Sequence, residues 1–137
     1  MKFDVSFNGG MRVDAHFRGH TVHTDQPVEV GGTDTAMAPF DLFLSSLATC
    51  AGLYAMRFCE QRAISTTGLA VTLEPIREPE AKKLGKIRIE LTLPEGFPEK
   101  YREAIHRAVD HCAVKRAVLD PPEFEIAMIE AGVEVGV

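Results

Sequence analysis

Three cysteines are all that the 137-residue chain carries, an odd number with no pair at C-x-x-C spacing. A disulfide-stapled secreted fold is therefore not expected, and the cytoplasm is the default compartment. Positive charge is also scarce. Fifteen Lys and Arg stand against twenty Asp and Glu, a formal net charge of -5, and no basic run exceeds Lys82-Lys83. Neither nucleic acid nor an anionic membrane surface is an expected partner for such a chain. The first residues, Lys2 to Phe7 with Asp4 among them, form neither a basic nor an apolar leader, so no secretory signal is expected. The least polar stretch, Ala36 to Met56, is interrupted by Pro39, Asp41, two serines, a threonine and a cysteine, and reads as a buried helix rather than a membrane span. The chain has no Walker loop, no G-x-G-x-x-G after a strand, no G-x-S-x-G and no H-E-x-x-H.

What is present reads as one domain over residues 1–137, without repeats or low-complexity tracts. Lys2 to Phe7 and Met11 to Phe17 alternate polar and apolar residues around the turn signal Asn8-Gly9-Gly10. Arg18-Gly19 marks a second turn before a third strand, His20 to Thr24, and Gly31-Gly32 with Thr33 to Thr35 forms a loop. A long helix is predicted from about Pro39 to about Arg62, with proline suited to its first position and Asp41 near the positive end of its dipole. At 1.5 Å per residue this rod is roughly 36 Å long, while a domain of this size has a radius of gyration near ~14 Å. A second subunit along part of the helix is therefore expected. Leu69 to Ile76 and Lys86 to Leu93 read as a hairpin, and a second helical region starts at Pro98 and ends at Asp120-Pro121-Pro122. A closing strand is predicted from Glu123 to Val135. The order of elements argues α+β with antiparallel strands, a long central helix and a second helical region.

Candidate chemistry centres on the cysteines. Cys50 and Cys59 are nine residues apart on the long helix, so they point about 180° from one another and cannot pair within it. The Cys59 face carries Asp41, Ser45, Ala48, Gly52 and Ala55, a small-residue stripe that lets another element approach closely, which makes Cys59 a packing residue. The Cys50 face carries Phe43, Ser46, Leu47, Leu53, Tyr54 and Arg57. Mid-helix, Cys50 gains nothing from a helix N-terminus, and a reactive thiol there needs a nearby cation: Arg57, or Arg12 or Arg18 from the strands. On composition alone a buried structural thiol is the plainer reading. His16 and His20 could meet across a turn, but two imidazoles without a third ligand do not make a metal site, and no metal or other cofactor is expected.

The stretch Gly31-Gly32 through Ala38-Pro39-Phe40-Asp41-Leu42-Phe43-Leu44-Ser45-Ser46-Leu47-Ala48-Thr49-Cys50, together with His111-Cys112-Ala113-Val114-Lys115-Arg116-Ala117-Val118, resembles the two cysteine motifs of the OsmC/Ohr family (osmotically inducible protein C and organic hydroperoxide resistance protein). Order and spacing agree over essentially the whole chain. The resemblance implies an intertwined α+β homodimer with a cysteine pair in each site near the subunit interface. It makes Cys50 the peroxidatic and Cys112 the resolving cysteine of a thiol-dependent peroxidase. In that chemistry an organic hydroperoxide oxidises Cys50 to a sulfenic acid, Cys112 condenses with it, and an external thiol or dithiol reduces the disulfide. Arg12 is the best match to the family's activating arginine. Phe40, Phe43, Leu47 and Leu53 would line an apolar approach for alkyl or fatty-acid peroxides.

The sequence also departs from the pattern. Phe40 stands where the Ohr branch has a glutamate, and Ala113 and Lys115 follow Cys112 where the family has proline and serine. The chain is thus closer to the OsmC-like branch than to Ohr proper. Two alternatives accompany the enzyme reading: a non-catalytic dimer that binds a small apolar ligand at the interface, and a redox-sensing structural dimer.

Overall fold

The computed structural model describes residues 1–132. Its first element is an antiparallel meander of β1 (Asp4–Phe7), β2 (Val13–Phe17) and β3 (His20–Thr24). Register places Val5 opposite Ala15 and Asp14 opposite His23. The Asn8-Gly9-Gly10 turn closes with Asn8 N–H donating to the Arg12 carbonyl at 3.0 Å and Arg12 N–H donating to the Gly9 carbonyl at 3.1 Å. The meander meets the rest of the chain at the start of the central helix, where Val13, Val22, Pro39 and Leu42 border one cleft.

The link between them is organised by one carboxylate. Asp25 is buried, and its oxygens accept from the backbone N–H of Gln26, Thr33 and Thr35 and from both threonine hydroxyls, at 2.6 to 3.2 Å. These hydrogen bonds, the Thr33 and Thr35 hydroxyls foremost, hold its carboxyl well below the usual carboxylate range. The bonds fold residues 25–35, with a 3-10 turn at Val28–Val30, into a closed loop that sets where the next helix begins. That helix, α1 (Pro39–Glu60), has proline in its first turn and Asp41 beside it. It is long and apolar enough to cross a membrane by length and composition. Its stripe of Leu44, Leu47, Ala51, Ala55, Phe58 and Cys59 is buried within the protein.

The second sheet is the hairpin of β4 (Ala70–Arg77) and β5 (Leu84–Thr92), with Val71 opposite Leu91, Leu73 opposite Ile89, and a bulge at Ile76/Arg77. β4 lies along the small-residue face of α1, where a methyl group on Gly52 would stand 4.0 Å from Val71 Cγ2. The second helical region is not continuous. A 3-10 turn at Glu99–Tyr101 leads into α2 (Arg102–Asp110), the helix is interrupted at His111-Cys112, and α3 (Ala113–Leu119) follows. Ala55, Phe58, Cys59, Phe97 and Ile105 form the core, with Leu69, Leu91 and Tyr101 packed against it.

The expected closing strand is not formed where the structure describes it. Residues 123–132 have no regular pairing, and Phe124, Ile126, Met128 and Ile129 are exposed. The remaining part of that prediction, 133–135, lies outside the described residues. Alternation supplies a strand's faces but not its hydrogen-bond partner.

Candidate active site

The buried stripe of α1 fixes where Cys50 points. Leu47 lies about 60° and Ala51 about 100° round the helix from Cys50, both on one side. Cys50 therefore falls at the margin of the stripe and is half-buried, whereas Cys59 sits within the stripe and is fully buried. Burial also pushes the Cys59 thiol up, against the charge of Arg62.

Cys112 reaches the same place from the break between α2 and α3. His111 closes α2, its Nδ1–H donating to the Arg107 carbonyl at 2.9 Å. Cys112 itself is extended, at φ -59 and ψ 143, and caps α3. Its N–H donates to the Val109 carbonyl at 3.1 Å and its carbonyl accepts from Arg116 N–H at 3.0 Å, so its backbone is satisfied on both sides of the break. The Cys112 side chain is completely buried and lies close enough to Cys50 for the two thiols to influence one another. Burial, reinforced by Cys50, pushes the Cys112 thiol up, while the backbone N–H and ammonium of Lys115 pull it down. Lys115 is paired with Asp110 across the helix break, and this partner, by hydrogen bond and charge, holds the Asp110 carboxyl low.

Two thiols 62 positions apart in sequence are thus neighbours in the fold, one reachable from solvent and one shielded. All three cysteines are free. The other expected site residues scatter. Phe40 and Phe43 pair at a centroid separation of 5.5 Å near the start of α1, with Arg77 6.0 Å from the Phe40 ring. Leu47 is buried and borders a cavity of about 290 Å³ with Leu84, Ile87, Ile89, Val118 and Leu119. Leu53 is 44% exposed on the outer side of α1. Arg12 is engaged at the β1–β2 turn, donating to the Asn8 carbonyl at 2.8 Å. Two histidines of the meander serve hydrogen bonds: His16 bridges the hydroxyls of Ser6 and Thr21, and His23 pairs with Asp14 at 2.8 Å.

The sequence reading did not assign Lys115 a role, nor Asp110, and it missed the part played by Asp25. Thr33-Asp34-Thr35 after an aspartate is a legible signal for the last, since short hydroxyl side chains favour local carboxylate bonding.

The family described as OsmC-like protein matches residues 32–127, a span that contains both cysteine motifs. No curated protein matches the chain. Among solved structures it is similar to a Psychrobacter arcticus 273-4 protein assigned to the osmotic-stress and detoxification response, with TM-score 0.73 and 21% identity over 85% of this chain and 87% of that one. It is also similar to an organic hydroperoxide resistance protein OsmC from Legionella pneumophila, with TM-score 0.53 and 21% identity over 86% and 89%. A third relative, from Vibrio cholerae O1 biovar eltor and assigned to organic hydroperoxide resistance, has captopril bound in one of its active sites; it matches with TM-score 0.54 and 19% identity over 86% and 84%. At these identities the structural likeness establishes the fold.

Proposed function

The chain belongs to the OsmC-like protein family, and from that premise we propose that it is a cytoplasmic, homodimeric thiol peroxidase acting on organic hydroperoxides through Cys50 and Cys112. The observation that carries the reading is the nearness of a half-buried Cys50 to a shielded Cys112. The Cys50 thiolate attacks the distal oxygen of the hydroperoxide. The O–O bond breaks, the alkoxide takes a proton and leaves as the alcohol, and Cys50 becomes a sulfenic acid. Cys112 attacks that sulfur, forming the disulfide and releasing water. Two equivalents of an external thiol, or one dithiol, then restore both cysteines by exchange. The net reaction converts hydroperoxide and two thiols to alcohol, water and a disulfide. Arg12 is the proposed cation for Cys50, brought by the partner subunit's meander or by its own. Phe40, Phe43, Leu47 and Leu53 are the proposed apolar approach. A second copy would cover Leu53 and Met56 on α1 and the apolar side chains of β1, which one chain leaves exposed.

The test treats reduced protein with one equivalent of cumene hydroperoxide and follows peroxide, free thiols and disulfide-linked peptides. Loss of two thiols with a Cys50–Cys112 peptide, abolished in Cys50→Ser, is expected. Three unchanged thiols with the peroxide still present would remove the reading.

The 290 Å³ apolar cavity beside Leu47 favours a second reading, in which the same dimer binds a small apolar ligand without turnover. A lipid-like molecule in the purified protein, together with no peroxide consumption under any thiol, would select it.

A further inference from the structure

A cavity of about 560 Å³ lies between the C-terminal half of α1 and α2. Tyr54, Arg57 and Arg62 border it from α1 and the segment beyond, Arg107 and His111 from α2 and its end, and the small side chains of Ala104 and Ala108 leave the space open. Three arginines therefore share one cavity, with no aspartate or glutamate in its lining, in a chain whose net charge is -5. Local concentration of positive charge against the overall balance is an arrangement that an anion completes.

The arginines differ in how they are held. Arg62 is fixed: its guanidinium lies 3.6 Å from the centre of the Phe58 ring and donates to the Phe58 carbonyl at 3.1 Å. Arg107 meets Glu103 at 3.7 Å in an exposed pair, the kind that contributes little and exchanges readily. Arg57 makes no ion pair among the described residues. Two guanidiniums without a buried partner beside one anchored one can close on a carboxylate in bidentate fashion.

The cavity is lined by near neighbours of both cysteines along the chain. Tyr54 stands one helical turn beyond Cys50 on the same face, about 6 Å along the axis. His111 immediately precedes Cys112. Arg57, seven residues after Cys50, is about 10 Å from it along the helix. We propose that this arginine cavity binds the carboxylate of a co-reactant of the Cys50–Cys112 pair, a molecule whose acid group and reacting –OOH or –SH group lie on the order of 10 Å apart. The inference rests on the peroxidase reading for the word co-reactant, and on the cavity itself for the carboxylate.

Matched acid and neutral probes test it and separate the two sources. Peroxide selectivity is the ratio of kcat/KM for the 9-hydroperoxide of linoleic acid to that for its methyl ester. Thiol selectivity is the same ratio for 6-mercaptohexanoate over 6-mercaptohexanol. Each is measured in the wild type and in the Arg57→Gln/Arg107→Gln double variant, whose replaced side chains are exposed. At least one ratio is expected to fall tenfold or more in the variant, and the ratio that falls identifies the source. Two unchanged ratios overturn the proposal. If cumene hydroperoxide is not turned over at all, the peroxidase reading fails separately, and calorimetric titration with octanoate decides the site. Octanoate binding that the double variant loses supports a carboxylate cavity, and absence of binding to the wild type overturns it.

Discussion

One chemical change placed at two glycines should have opposite effects on this fold. At Gly32 a methyl group would stand 1.9 Å from the Gln26 carbonyl oxygen, 2.4 Å from its carbon and 2.8 Å from its Cα. Carbon atoms in contact sit near ~3.5 Å, so the Gln26 peptide would have to retreat by about 1–1.5 Å. That peptide is not free to move. Its oxygen accepts from Asp34 N–H at 3.0 Å and its N–H donates to the Asp25 carboxylate at 2.8 Å. Overpacking costs about 1–3 kcal/mol and a lost hydrogen bond about 0.5–1.5 kcal/mol, so Gly32→Ala is expected to destabilise by about 2–4 kcal/mol. At Gly52 the added carbon meets Val71 Cγ2 at 4.0 Å, an ordinary contact. There alanine gains up to about 1 kcal/mol of helix propensity, and Gly52→Ala should be neutral or stabilising. Urea denaturation at matched protein concentration reads both, since the apparent stability of the proposed dimer depends on concentration. An unchanged midpoint for Gly32→Ala, or a larger loss for Gly52→Ala, would refute the reasoning.

Three further outcomes follow from the same structure. Asp25 has its carboxyl held low in the folded state, so its contribution is present above the unfolded value near ~3.9 and is lost as pH falls below it. Asp25→Asn should therefore be less stable at neutral pH and show a flatter decline as pH falls from about 5 to about 2, and parallel curves for the two proteins would contradict this. Ile105 is 1% exposed in the core, so Ile105→Ala should cost about 2–5 kcal/mol by the same denaturation assay, and a loss below 1 kcal/mol would place it outside the core. In native protein treated with iodoacetamide, mass spectrometry should find Cys50 alkylated first, with Cys59 and Cys112 protected until unfolding, because both are completely buried. Early alkylation of Cys59 would falsify the packing role given to it.

The sequence made some elements legible and hid others for identifiable reasons. β1 to β3, α1 and the β4–β5 hairpin carry short-range signals: alternation, a proline in the first helical turn, and turn residues such as Asn8-Gly9-Gly10. The break between α2 and α3 was not visible, because Tyr101, Ile105, Ala108, Val109 and Cys112 keep helical spacing through it. What ends α2 is the extended backbone at Cys112, which periodicity does not encode. Alternation over 123–132 led to a strand that the described residues do not form, since pairing depends on a neighbour elsewhere in space. The cysteine motifs pointed to Cys50 and Cys112 together, whereas Arg57 and Arg107 are fifty residues apart and are joined in one cavity by the packing of α1 on α2.

The positions of the two thiols also divide their roles in the proposed chemistry. Cys50 lies in the middle of a 22-residue helix, where a backbone shift would disturb the hydrogen bonds of neighbouring turns. It can present its sulfur at a fixed point, which suits the atom that a hydroperoxide must meet in line. Cys112 belongs to neither flanking helix, and its backbone is held by the Val109 carbonyl on one side and by Arg116 N–H on the other. Movement there costs those two bonds, about 0.5–1.5 kcal/mol each, and disturbs only the first turn of α3. The sulfur that must travel to close a disulfide of restricted Cα separation is therefore the one at the break. Cys112→Ser keeps the fixed attacker and removes the mobile partner. The Cys50 sulfenic acid should then accumulate and be trapped by dimedone after one equivalent of peroxide. A dimedone adduct on Cys112 in the wild type instead, with Cys50 unmodified, would reverse the assignment.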